Sequence, residues 1–203
     1  WFMGMAVICL LAFSCGDSSR MAKKGLLHLE EGNNVTALSF FERALNRDPD
    51  NALALYGKGI ITIDESVTAN LGYNMLQKAR PNLKETRRQL QADLLMAKYL
   101  AKNNKQEKAL KRLQKAPEEG LSEKKLAIEW IRLLKKWEQN DEARSLIGKA
   151  MTLHPEEGTF WYEQGLLEAQ ERSYANALQS FEQAVKKRSI TSVPKATVFL
   201  AWA

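Results

Sequence analysis

Two cysteines and two histidines are all that this chain of 203 residues contains, and that scarcity removes whole classes of protein. Two thiols cannot build a disulfide framework. His28 and His154 stand far apart without a spaced set of Cys, Asp or Glu partners, so neither suggests a metal site; each reads as a helix-surface or helix-end residue. Strand signals are nearly absent: the longest β-branched cluster, 59–63, falls inside a segment of helical pattern. Gly57, Lys58 and Gly59 lack both the glycine spacing and the strand that a phosphate loop needs. No long apolar run is present either. The N-terminal segment 1–14, which contains no charge, falls short of the ~20 apolar residues that a membrane span requires. Nucleophile and acid–base constellations are missing as well, so neither an enzyme nor a cofactor is expected. With 45% hydrophobic and 27% charged residues, the chain can nevertheless bury a continuous core.

A repeated pattern occupies the chain instead. The stripe Ala37, Phe41, Ala44 recurs as Ala109, Leu113, Ala116, as Ala143, Ile147, Ala150 and as Ala177, Phe181, Ala184. From Ala109 to Ala143 and again to Ala177 the step is 34 residues, and Ala37 to Ala109 is 72, or two steps of 36. The spacing i, i+4, i+7 puts each set on one helix face, where small residues admit a neighbouring helix and the large one fills the gap. Pro49 and Pro155 end their helices, because proline cannot donate to the preceding turn. Gly25, Gly59, Ala97 and Gly165 stand about twelve residues upstream of the stripe, on a preceding helix, and again permit close backbone contact. Between the helices lie turn formers: Gly32, Asn33 and Asn34; Asn103 and Asn104; Asn140 and Asp141; Ser173. A period in this range with helical spacing inside it predicts an all-α solenoid of helix pairs. Trp130, Trp137 and Trp161 sit at helical spacing and read as core.

At these residues the chain resembles the tetratricopeptide repeat (TPR) family. The fullest match is 158–191, with Trp161, Gly165, Tyr174, Ala177, Phe181 and Ala184 at signature positions and Ser189 in place of the terminal proline. The other copies are 18–51, a degenerate 52–89 without a clear alanine stripe, 90–123 and 124–157, so the repeats span 18–191. The resemblance implies a right-handed superhelix of helix-turn-helix pairs and a binding scaffold rather than a catalyst. Residues 192–203 read as the start of a further helix, opened by Pro194 and expected to continue past Ala203.

The N-terminus is different in kind. Residues 1–14 suit the apolar core of a secretory signal whose start is expected to lie upstream of Trp1. Leu11, Ala12, Phe13, Ser14 and Cys15 resemble a bacterial lipobox, in which cleavage before the cysteine leaves it as the lipid-bearing first residue; residues 15–19 would then be a tether. Cys9 would depart with the signal. The likeness implies a lipid-anchored protein of the bacterial cell envelope, and Gly16 after the cysteine resembles proteins sorted to the outer membrane.

Charge is unevenly spread: 12 of the 30 Lys and Arg but only 3 of the 24 Asp and Glu fall in residues 77–115. In the TPR family certain positions of each first helix face a concave groove. Transferred by register, these are Tyr56, Lys98, Lys102, Arg132, Lys135, Lys136 and Tyr162. Such a groove would suit an acidic peptide or a C-terminal carboxylate. The same lysines read equally as a solvated face. Leu94 and Ile128 occupy places where a carboxylate clamp would need polar residues. The functional expectation is a membrane-anchored scaffold for protein–protein interaction in envelope assembly, of pili, secretion channels or cell wall. The alternatives are a nucleic-acid-binding repeat protein using the basic segment, which export disfavours, and the non-catalytic part of a larger exported enzyme.

Overall fold

The computed structural model describes residues 2–187, with side chains from residue 16 onward. Among these residues the chain forms ten α-helices and no strand: α1 (Phe2–Glu30), α2 (Asn34–Arg47), α3 (Ala52–Ile63), α4 (Ala69–Ala79), α5 (Thr86–Lys102), α6 (Gln106–Leu113), α7 (Lys124–Lys136), α8 (Asn140–Leu153), α9 (Gly158–Gln170) and α10 (Tyr174–Lys186). Short 3-10 turns at Arg80–Asn82 and Glu118–Ser122 follow α4 and precede α7. Consecutive helices pack as pairs. The first compact unit, Trp1–Pro117, holds α1/α2, α3/α4 and α5/α6; the second, Glu118–Ala203, holds α7/α8 and α9/α10. The further helix expected over 192–203 lies outside the described residues.

The striped residues are the buried ones. Ala37, Phe41 and Ala44 are fully buried on α2, as are Ala143 and Ala150 on α8, while Ala177, Phe181 and Ala184 are buried on α10. The glycines upstream accept the large member of each stripe. A Cβ on Gly25 would lie 2.5 Å from Phe41 Cε1, and one on Gly165 would lie 2.6 Å from Phe181 Cε1. Close approach there requires glycine. Copy 52–89, read from sequence as lacking the stripe, has one in disguise: α4 buries Gly72, Leu76 and Ala79, at the same i, i+4, i+7 spacing. Glycine replaces the first alanine because the backbone of Ile63 comes so near that an added Cβ would meet its nitrogen at 2.4 Å.

The turn inside four of the pairs is the same device. Gly32, Asn104, Glu138 and Arg172 take the left-handed conformation, with φ of 78°, 57°, 59° and 62°. The following amide reaches back to the last turn of the first helix, as in Asn33 N to His28 O at 2.8 Å and Ser173 N to Glu168 O at 2.8 Å. Otherwise orphaned carbonyls are thereby satisfied. Each left-handed residue stands five places before the first alanine of its stripe, so turn and stripe share one period. In the remaining pair α3 runs into a longer connection. There Thr68 Oγ1 donates to Thr62 O at 2.9 Å, and the turn Arg80–Asn82 after α4 adds most of the extra length of that copy. Helix starts are capped in part by side chains: Asn33 Oδ1 accepts from Thr36 N at 3.2 Å, and Asn51 Oδ1 from Ala54 N at 3.1 Å.

Candidate partner-binding site

In the first unit α1, α3 and α5 lie side by side, because the first helix of each pair packs on the first helix of the next. Their shared surface holds three cavities in succession. One of about 850 Å³ is lined by charges of both signs, Lys23, Lys84 and Arg88 with Glu30, Asp48, Asp50 and Glu85, around Leu27 and Leu53. The next, about 300 Å³, is lined by Leu26, Leu29, Glu30, Tyr56, Ile60, Arg87, Arg88 and Gln91. The last, about 350 Å³, lies between the end of α3, the start of α4 and the second half of α5, and includes Asp64, Leu95, Lys98, Tyr99 and Lys102. The surface is therefore apolar at its floor and mostly basic along α5. Extended segments of partner chains bind to such surfaces through apolar side chains and carboxylates.

Tyr56 forms part of that floor. Its ring is almost wholly buried and its hydroxyl donates to Gln91 Oε1 at 2.7 Å. Burial pushes the phenol well above its ordinary pKa, against the opposing pull of Arg88 and Arg87, so it stays a neutral donor. Lys98 and Lys102 are both exposed on α5 and line the same cavity. The sequence-derived positions Tyr56, Lys98 and Lys102 are thus all found on this surface. Arg87, Arg88 and Gln91 join them, and the sequence register had not singled these out. Arg87 and Arg88 precede residue 90, where that copy of the repeat begins, so the register gave them no place.

The remaining sequence-derived residues belong to the second unit. Arg132 Nε donates to Glu163 Oε1 at 2.6 Å, and Lys135 Nζ to Glu163 Oε2 at 2.7 Å. Glu163 is buried, so both cations are engaged by one carboxylate that the sequence did not flag. Lys136 is exposed. Tyr162 is half-buried, its ring tilted against Phe181 with centroids 5.7 Å apart. Of the tryptophans read as core, Trp130 and Trp137 are buried and Trp161 is partly so.

The histidines serve structure. His28 stacks on Phe40 and its Nδ1 pairs with Glu31, while His154 Nε2 meets Leu121 O at 2.9 Å. Among the described residues no group of three or more His, Cys, Asp or Glu could hold a metal ion, and no helix is long and apolar enough to cross a membrane.

Known proteins with this arrangement share one repeat. The tetratricopeptide repeat family model matches residues 128–192. No curated protein matches the chain in sequence. Among solved structures the chain is similar to Pseudomonas aeruginosa pilF, with TM-score 0.69 and 19% identity over 93% of this chain and 82% of that one. It is similar as well to YrrB, described as a TPR protein with an unusual peptide-binding site, with TM-score 0.63 and 21% identity over 91% of this chain and 90% of that one. A third is MamA, with TM-score 0.62 and 18% identity over 80% of this chain and 93% of that one. At such identities the likeness is one of fold. Helix pairs of one design, four of the five joined by one kind of turn and the last two matched over residues 128–192 by the repeat's own family model, give this chain the fold of a tetratricopeptide-repeat protein.

Proposed function

We propose that the chain is a binding scaffold held at a bacterial envelope membrane by lipid on Cys15, and that it grips a segment of a protein partner along α1, α3 and α5. One observation carries this reading: cavities follow one another along α3 and α5, one floored by Leu26, Tyr56 and Ile60 beside Arg87 and Arg88, and one beside Lys98 and Lys102. An extended segment with apolar anchors and carboxylates complements such a surface. The fold that the chain shares with YrrB, whose description names a peptide-binding site, supports a peptide as the bound element. Anchoring rests on the uncharged residues 1–14 ending at Cys15 and followed by Gly, Asp and Ser. The Cys15 side chain lies outside the described ones. Assembly of envelope machinery is the process we assign to it, on the same lipobox resemblance and the scaffold nature of the repeat.

Site-directed crosslinking tests the surface. A photo-crosslinking residue at Lys98 should capture a partner in the source cells, and one at Lys186, exposed on α10, should not. Raised salt should weaken the capture. Equal capture at both places would show that the surface along α5 is only a solubilising face. Feeding labelled fatty acid to cells making the full-length protein should label the wild type and not Cys15→Ala. Equal labelling would remove the anchor.

A further inference from the structure

A second site, apart from that surface, lies among α4, the turn at Arg80–Asn82, α5 and α6. There a cavity of about 510 Å³ is lined by Tyr73, Arg80, Asp93, Leu100, Lys108, Lys111, Arg112 and Lys115. Five cations and one carboxylate share it. Asp93, buried on α5, has both oxygens in use: Oδ2 accepts from Arg80 Nε and Nη2 at 3.1 and 3.0 Å, and Oδ1 accepts from Arg112 Nη1 at 3.0 Å. Its carboxylate thereby fixes two guanidiniums at the cavity and neutralises only one of them. Each keeps spare donors: among the described residues Arg80 Nη1 and Arg112 Nη2 have no protein acceptor, and Arg112 Nε is buried without one.

The ammoniums add a second row. Lys108, Lys111 and Lys115 follow one another at i, i+3 and i+7, so they share a face of α6 and its continuation. Lys111 pairs with Glu107 at 2.6 Å, while Lys108 and Lys115 are exposed and form no salt bridge among the described residues. Like charges so spaced repel one another. Nothing in the packing of α6 needs them, since its buried contacts are Ala109 and Leu113.

We propose that this cavity binds a phosphate group, held by the two guanidiniums that Asp93 keeps in place and by the ammoniums of Lys108, Lys111 and Lys115. A carboxylate ligand would bring one charge to a site whose lining cations exceed its carboxylate by four. A phosphate brings up to two charges and three terminal oxygens, which can accept from guanidinium forks and from point-charge ammoniums together. The phosphate could be part of a soluble molecule or of a lipid headgroup, and both sources present the same chemistry to the cavity.

The test uses the full chain with inorganic pyrophosphate, titrated calorimetrically at low salt, and in parallel sedimentation with vesicles of phosphatidylglycerol or of phosphatidylcholine. The cavity variant is Lys108→Gln with Lys115→Gln, both exposed and so compatible with folding. The control is Lys125→Gln with Lys186→Gln, which removes the same charge elsewhere. The cavity variant should bind pyrophosphate about tenfold more weakly, or lose the preference for phosphatidylglycerol, while the control stays within about twofold of the parent. Pyrophosphate binding that depends on the cavity assigns a soluble phosphate. A phosphatidylglycerol preference that depends on it, without pyrophosphate binding, assigns a headgroup. Equal weakening in cavity variant and control, or no binding of either probe by the parent, overturns the proposal.

Discussion

The substitution Gly57→Ala should destabilise the first unit, although alanine is the better helix former by about 1 kcal/mol. Phe41 decides the sign. A Cβ on Gly57 would stand 2.1 Å from Phe41 Cζ, where ordinary contact begins near 3.4 Å, so the ring would have to retreat by more than an ångström. Retreat is closed on the opposite side, since a Cβ built on Gly25 already falls 2.5 Å from Phe41 Cε1. The ring is thus clasped between the backbones of α1 and α3. Overpacking costs about 1 to 3 kcal/mol, and with the ring closed in on both sides the cost should fall in the upper half of that range, about 2 to 3, so the net loss should be roughly 1 to 2 kcal/mol after the gain of about 1 in helix propensity. Gly148 supplies the contrast. It sits within α8 with nothing within 4 Å of an added Cβ, so Gly148→Ala should gain up to about 1 kcal/mol. Thermal melts followed by circular dichroism should move by about 2 to 4 °C per kcal/mol in a chain of this size, down for Gly57→Ala and up for Gly148→Ala. Hydrogen exchange at α1, α2 and α3 locates the loss, because repeat pairs can open separately. Trimming the ring should relieve the clash, so Phe41→Leu and Gly57→Ala together should cost less than the sum of the two alone. If Gly57→Ala melts with or above the wild type, the clasp is not what holds these helices.

Three other perturbations follow from single features. Arg172→Gly and Glu138→Gly should each stabilise, by about 0.5 to 1 kcal/mol in urea titrations, because each now pays the steric cost of a left-handed backbone that glycine escapes. Asp93→Ala should cost about 3 kcal/mol by leaving the half-buried guanidiniums of Arg80 and Arg112 uncompensated, and the melt of the first unit should show it. Glu157 starts α9, where it accepts from Lys124 at 2.8 Å and from Thr159 Oγ1 at 2.7 Å. Burial pushes its carboxyl up, but these hydrogen bonds outweigh it and hold the group below its ordinary value of 4.5. Its contribution is therefore whole above that value and is lost as pH falls through the lower folded value. Urea midpoints measured between about pH 5 and pH 3 should fall less steeply in Glu157→Gln than in the wild type.

The sequence by itself determined the helix pairs, because i, i+4, i+7 stripes and a fixed period are properties of the order of residues along a chain. Ala37, Phe41 and Ala44 could be read as a buried face before any fold was known, and so could the need for a small residue at Gly25 and Gly165. The stripe Gly72, Leu76, Ala79 escaped because glycine stood where alanine is usual, and only the approach of Ile63 to Gly72 explains the exchange. Gly57 likewise looked idle until Phe41 was seen to reach it from another helix. Charge shows the divide most clearly. Sequence located the excess of lysine and arginine, but the carboxylates that answer it come from other helices: Asp93 meets Arg80 and Arg112, and Glu163 meets Arg132 and Lys135. Which cations stay available to a ligand depends on distances of a few ångströms between residues 13 to 31 positions apart, and such distances exist only once the helices have packed.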